Sequence, residues 1–210
     1  MKFEIETNPY ENKKSIFRKK NIEINPGLTV LVGCNGSGKT TLLKQIERHL
    51  KRDDILYVKY DNLLNGNNNG MSQMLYNDDY GLFATAYCSS EGERIAINLG
   101  TFARKIGDAI KICKEDNEKQ LFVLLDGIDS GLSVDAIADI KEYLFKTLFE
   151  QAKEVDVYLI VSANDYTMTR NEQCLDVYTG NYKTFKDYED YYKFIMKSRE
   201  RKDKRYGNDN

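Results

Sequence analysis

Histidine is almost missing: the 210-residue chain has one, His49. A mechanism that needs a histidine elsewhere as base, proton shuttle or metal ligand is thereby excluded. Cysteine is scarce and scattered (Cys34, Cys88, Cys113, Cys174), with no C-x-x-C pair. That argues against a disulfide framework or a zinc site and suits a reducing, cytoplasmic setting. No apolar run approaches the roughly 20 residues of a transmembrane helix, so no membrane role is expected. The first residues, Met1-Lys2-Phe3-Glu4-Ile5-Glu6, lack the apolar region of a signal peptide. A surplus of one charge is lacking too. With 31 Lys+Arg against 33 Asp+Glu the formal net charge is −2, so the chain as a whole exerts no pull on nucleic acid.

What is present is ordinary in bulk and specific in one place. Apolar residues make up 41% and charged residues 30%, the mix of a globular protein with a core. The length fits one domain over residues 1–210. The specific place is Gly33-Cys34-Asn35-Gly36-Ser37-Gly38-Lys39-Thr40. It follows an apolar run over 28–32 and leads into a helical pattern through Leu42, Leu43 and Ile46. Strand, glycine-rich turn and helix with G-x-x-x-x-G-K-T spacing make the phosphate-binding loop of P-loop NTPases. The glycines let successive N–H groups converge on phosphate oxygens. The helix adds the positive end of its dipole. Lys39 reaches the β- and γ-phosphates and the Thr40 hydroxyl can ligand Mg²⁺. Asn35, Gly36, Ser37, Gly38, Lys39, Thr40 and Thr41 are therefore the expected ATP contacts. A second carboxylate must hold Mg²⁺ through water, and Asp126, ending the apolar run 121–125, is the candidate Walker B aspartate.

Along the chain, residues 2–7 and 21–24 alternate as half-buried strands do. Asn25-Pro26-Gly27 is a turn. The strand over 28–32, the phosphate loop, a helix over about 39–50 and a strand over 55–58 follow. Residues 61–80 contain Asn65-Gly66-Asn67-Asn68-Asn69-Gly70 and no apolar periodicity. They read as a loop, either plain surface or a mobile functional segment between two nucleotide-site motifs. A short apolar stretch over 82–87 precedes Ser89-Ser90-Glu91-Gly92-Glu93-Arg94. That stretch caps a helix whose Ile95, Leu99, Phe102, Ile106 and Ile110 keep helical spacing. A strand over 121–125, a helix over about 134–153 and a strand over 155–162 come next. A polar loop over 163–169, a hairpin around Gly180 and a Tyr-rich, then basic helix over 187–205 complete the chain. Strands alternating with helices predict an α/β P-loop NTPase fold with a layered, mostly parallel sheet and right-handed crossovers.

In order, the motifs are the phosphate loop, Ser90-x-Gly92-Glu93 opening a helix, the apolar strand with Asp126, and Ser130-Gly131-Leu132-Ser133. This set resembles the ATP-binding cassette (ABC) ATPase superfamily over most of residues 21–165. Ser90-Glu91-Gly92-Glu93 resembles the family's signature motif, in the S-x-G-E form of soluble cassette ATPases of chromosome maintenance and DNA repair. Ser130, Gly131, Leu132 and Ser133 resemble the D-loop. The whole chain also resembles small stand-alone ATP-binding proteins of Firmicutes and their phages. The resemblance implies a head-to-tail homodimer formed with ATP. Ser90, Gly92 and Glu93 of one copy would face the ATP and Mg²⁺ held by Lys39 and Thr40 of the other. It also implies a reduced helical subdomain, since few and polar residues separate Asp61 from Ser90.

Departures from the family shape the expected function. The catalytic glutamate is matched by Gly127, which has no side chain to orient water. The switch histidine is matched by Asn164, which can hydrogen-bond a γ-phosphate but does not titrate near neutral pH. For the lid-loop glutamine, Tyr60, Asp61, Asn62 and Gln73 all stand open. Phe17 is the candidate to stack on adenine. The expected protein binds Mg·ATP, dimerises with it and hydrolyses it slowly. Asp129 or an acidic residue of the 61–80 loop is a candidate substitute base. The competing reading is an active ATPase component of a nucleic-acid repair or defence system, working with a separate effector protein. Lys193, Lys197, Arg199, Arg201, Lys202, Lys204 and Arg205 make the C-terminal stretch basic. They form either a solvated helix end or a contact for nucleic acid or an acidic partner. Tyr178, Tyr182, Tyr188, Tyr191 and Tyr192 read as core and interface aromatics.

Overall fold

The computed structural model describes residues 1–10, 15–61 and 91–206, with side chains in the helix that begins at Glu91 described from Gly100 onward. The alternating N-terminal segments form β1 (Lys2–Glu4) and β2 (Asn21–Glu23), an antiparallel pair with Phe3 opposite Ile22. Chain beyond β1 is held by α1 (Lys39–Arg52). Gln45 accepts from the Glu6 N–H at 2.7 Å and donates to the Glu6 carbonyl at 3.1 Å, as a neighbouring strand would. That closes part of an edge that would otherwise be open to pairing.

β3 (Gly27–Val32) runs into the phosphate loop and α1. Leu42, Leu43, Ile46 and Leu50 are buried on one face of α1, and His49, Lys51 and Arg52 occupy its last turn, where cations suit the helix dipole. β4 (Tyr57–Asp61) begins two residues later than the strand expected over 55–58 and runs on to Asp61. Asp54 takes φ 52° and the Ile55 N–H returns to the Leu50 carbonyl, so the exit from α1 uses residues that composition assigns to a strand. α2 (Glu91–Glu115) and β5 (Gln120–Asp126) match expectation. The helix expected over 134–153 is α3 (Val134–Asp139) and α4 (Lys146–Gln151), joined by a π-helical segment, Ile140–Phe145. β6 (Asp156–Ser162) follows. The polar loop expected over 163–169 instead holds a short helix, α5 (Tyr166–Thr169). The Asp165 carboxylate caps it by accepting the Thr167 N–H at 2.7 Å, the usual work of Asp at this position. β7 (Cys174–Asp176) and β8 (Asn181–Lys183) form the expected hairpin, and α6 (Tyr188–Tyr206) ends the described chain.

Among the described residues, six strands share one sheet in the order β4-β5-β6-β3-β7-β8. Every pairing is parallel except the hairpin β7–β8. This is the mostly parallel α/β sheet of a P-loop NTPase. β5 and β6 are near-continuous apolar runs because both their faces are covered. Leu31, Phe122, Leu124 and Ile160 pack with α1 and the β1–β2 pair on one face. Val30, Val32, Val123, Leu159 and Val161 pack with α2, the α3–α4 helix and α6 on the other. Among the described residues, no helix is long and apolar enough to cross a membrane.

The register sets up the site. Asp61 lies opposite Asp126, Asp126 opposite Ser162, and Leu31 opposite Ser162. The carboxyl ends of β4, β5, β6 and β3 therefore open on one rim, where α/β sheets place their ligands. The region read as a reduced helical subdomain, the Asn-rich tract, Asn62, Gln73 and Ser90 lie outside the described residues.

Candidate functional site

The loop after β3 turns through left-handed backbone at Gly36 (φ 75°) and Gly38 (φ 108°). Gly38 is required twice over. Its φ favours glycine, and a Cβ there would stand 3.1 Å from the Phe17 ring. The turn is closed by the Ser37 N–H donating to the Cys34 carbonyl at 3.0 Å.

Lys39 is buried within this turn, at 8% exposure. Its ammonium donates to the Gly33 carbonyl at 2.7 Å and to the Cys34 carbonyl at 3.3 Å. Burial pushes its pKa down, against the raising influence of Cys34, Asp129 and Asp126 nearby. These hydrogen bonds go to carbonyl dipoles, and among the described residues no carboxylate is in direct contact with the cation. A buried charge in that position favours an arriving anion.

Beside it, the Thr40 hydroxyl donates to Asp126 Oδ1 at 3.1 Å. The same carboxylate oxygen accepts from the Ser162 hydroxyl. The Ser162 oxygen in turn accepts the Gly127 N–H at 2.9 Å. The start of α1 and the ends of β5 and β6 are thus tied by one polar chain.

These groups border a cleft of about 480 Å³. Asn35, Gly36, Gly38, Lys39, Thr40 and Thr41 line it along the loop, and Asp61, Asp126, Ser130 and Asn164 face them. Ser37 does not; it is buried and lies against Gly33 under the loop. Another groove, about 590 Å³, lies between β1 and α1 beside Lys20, Arg48 and His49. The smaller cleft is the one with convergent polar groups at the sheet rim, and convergence rather than size marks a binding site.

The D-loop stretch divides its work. Ser130 borders the cleft. Gly131 takes φ 81°, and the Leu132 N–H donates to the Asp129 carbonyl at 3.3 Å. Ser133, in extended conformation, precedes α3. Asp129 is a brace rather than a cleft wall. It is buried, and one carboxylate oxygen accepts the N–H groups of Asn164 and Asp165 while Oδ1 is buried without a partner. Desolvation raises its pKa despite those N–H groups. The brace fixes Asn164 at the cleft, and the Tyr191 hydroxyl of α6 donates to the Asn164 carbonyl at 2.5 Å.

Of the lid-loop candidates, Tyr60 turns into the core against Phe102, with ring centroids 5.5 Å apart. Burial pushes its phenol up to about 12. Asp61 borders the cleft. Phe17 is 2% exposed beneath Gly38, a core residue and not a free stacking face. Among the described residues, Tyr10 and Tyr206 are the other aromatics that border the cleft. The Tyr10 hydroxyl lies 3.0 Å from Thr41 Oγ1. Of the signature motif, Gly92 and Glu93 occupy the start of α2, with side chains outside the described residues. In α6, Lys193 pairs with Glu189, Arg199 with Asp203, Arg201 with Asp176 and Lys202 with Asp203. Much of the basic stretch is thereby matched within the chain.

Among the described residues, no group of three or more His, Cys, Asp or Glu side chains gathers to cage a metal. Mg²⁺ does not require one. It is commonly held by one or two protein oxygens, with substrate phosphates and water completing the shell. The Thr40 hydroxyl and the Asp126 carboxylate, already in contact beside Lys39, fit that requirement.

A family model described as an AAA domain matches residues 10–206. No curated protein matches the chain.

Proposed function

We propose that this chain, which belongs to the AAA-domain family, binds Mg·ATP in the rim cleft as an ABC-type cassette does, each copy supplying half of a composite site. The observation that carries the reading is the buried Lys39 ammonium on carbonyl dipoles, next to the Thr40–Asp126 contact. An anion and a cation would each find a prepared partner there. In this reading the loop from Asn35 to Thr41 cradles the phosphates, Lys39 neutralises them, and Thr40 and Asp126 hold Mg²⁺. The metal, when bound, supplies charge neutralisation for the β- and γ-phosphates. Asn164 and Ser130, which also line the cleft, would meet the γ-phosphate. Ser90, Gly92 and Glu93 of a second copy would close the site, so ATP would join two chains. We propose a cytoplasmic setting for it, which its scarce and scattered cysteines suit.

Hydrolysis is proposed to be slow, because Gly127 offers no side chain to the attacking water. Of the competing reading, an active ATPase serving a separate effector on nucleic acid, only the active-ATPase part is favoured by an observation. Asp61 borders the cleft and lies opposite Asp126 on the neighbouring strand, so a second carboxylate faces the phosphates.

Metal linkage tests the assignment. ATP titrations of the parent are expected to show at least about tenfold tighter binding with Mg²⁺ than with a chelator, a charge-assisted contact being worth roughly 1.5–3 kcal/mol. Asp126→Asn keeps the shape and the hydrogen bonds while removing the charge, and should lose that gain. An Asp126→Asn protein with an undiminished Mg²⁺ response would remove Asp126 from the metal site.

A further inference from the structure

α6 does more than cover the sheet. It lies against the outside of the phosphate loop at successive turns. The Ser198 hydroxyl, 4% exposed, accepts the Cys34 N–H at 3.0 Å. One turn on, the Lys202 ammonium donates to the Asn35 carbonyl at 3.4 Å, and its Cδ would be 3.5 Å from a Cβ on Gly36. Another turn on, Tyr206 reaches the cleft itself and borders it, 42% exposed. The spacing 198, 202, 206 is one helix face. The face is locked in place. Arg201 pairs with Asp176 at 3.4 Å, and Arg201 and Arg205 both lie over the Tyr178 ring, at 5.0 and 5.5 Å.

The cleft is bordered by groups of two kinds. Asp61, Asp126, Ser162 and Asn164 are polar and suit metal and terminal phosphate. Tyr10, whose hydroxyl lies 3.0 Å from Thr41 Oγ1, Tyr206 and the aliphatic Ile16 offer apolar surface. Two exposed aromatic rings beside a phosphate loop have one chemical use that fits both features: packing against a flat, weakly polar ring attached to the phosphates. Tyrosine suits the task, since its body is apolar and its hydroxyl can stay wet.

We infer that α6 is a wall of the nucleotide site, with Tyr206 the surface on which the base of a nucleoside triphosphate stacks, and Ser198 and Lys202 the residues that hold the loop to it. This rests on the proposal that the cleft binds nucleotide. It gives the last turn of the C-terminal helix a direct contact with ligand, 166 residues after Thr40. Tyr206 differs in place from the exposed Tyr188 and Tyr192 of the same helix: it borders the cleft, with Arg205 5.9 Å from its ring centroid.

The test separates base from phosphate. Equilibrium binding of ATP and of inorganic tripolyphosphate, each with Mg²⁺, is measured on the full chain for the parent, Tyr206→Ala, Tyr206→Phe and Lys39→Ala. Base–aromatic stacking predicts an ATP affinity about five- to hundredfold weaker in Tyr206→Ala. Tripolyphosphate affinity should stay within about twofold, because the phosphate contacts are unaltered. Tyr206→Phe keeps the ring and should keep ATP affinity. Unchanged ATP binding by Tyr206→Ala would overturn the inference. So would an equal loss of ATP and tripolyphosphate, which would mean that the helix acts only through the loop. A parent that binds neither ligand, or a Lys39→Ala protein that binds both as the parent does, would instead overturn the underlying nucleotide site.

Discussion

Lys39→Ala is expected to weaken ATP binding by at least about thirtyfold. Removing one partner of a buried, hydrogen-bonded charge pair costs roughly 2–5 kcal/mol, and Lys39 is buried before any ligand arrives. Its cation is held by the Gly33 and Cys34 carbonyls, so the phosphates would inherit an ammonium already in place. The free protein should suffer little. Burial disfavours the charged form of this side chain, and alanine removes that unfavourable desolvation together with the two hydrogen bonds. The ligand-free melting temperature is therefore expected to stay within about 4 °C of the parent, roughly 1 kcal/mol for a chain of this size. Calorimetric titration with a parallel thermal melt checks both halves. ATP affinity that survives the substitution would refute the phosphate-loop assignment. A collapsed melt would show that Lys39 serves the fold first.

Gly127→Glu is expected to raise steady-state phosphate release by about a hundredfold. A positioned general base contributes roughly 10²–10⁴-fold, and the low end applies here for a structural reason. Gly127 has φ 64°, left-handed backbone that costs a side-chain-bearing residue about 1–2 kcal/mol. Its N–H is also committed to the Ser162 hydroxyl. A glutamate at this position would be imperfectly aimed and the variant less stable. Gly127→Ala carries the same strain without a carboxylate and should leave the rate unchanged. A parent that already turns over fast, with Gly127→Glu making no difference, would contradict slow hydrolysis and move attention to Asp61.

The phosphate loop was legible because its information is local: strand, glycines and helix adjoin in sequence. The apolar runs of β5 and β6 were legible for a similar reason, since burial on both faces leaves only one kind of residue to use. What local pattern could not supply was pairing across the chain. Ser162 joins Gly127 to Asp126 across two strands, and its one sequence signal was a lone polar residue ending an apolar strand. That Asp61 borders the cleft shows only once β4 is seen to end beside Asp126. Phe17 was misplaced because distance along the chain to a phosphate loop says nothing about which face of the loop a ring meets. Tyr10 and Tyr206 carried no local signal for a cleft at all. Local composition misleads in two further places: Ile55 and Leu56 are apolar yet precede β4 rather than form it, and the mixed Tyr166–Thr169 stretch forms α5 with Met168 and Thr169 buried.

The most direct measurement is the solution mass of the chain by light scattering, with and without Mg·ATP, alongside Lys39→Ala. A composite site predicts the mass of one chain without nucleotide and of two chains with it, the shift being absent in Lys39→Ala. A parent that binds Mg·ATP yet keeps the mass of a single chain would contradict the account, leaving a nucleotide site that one copy completes by itself.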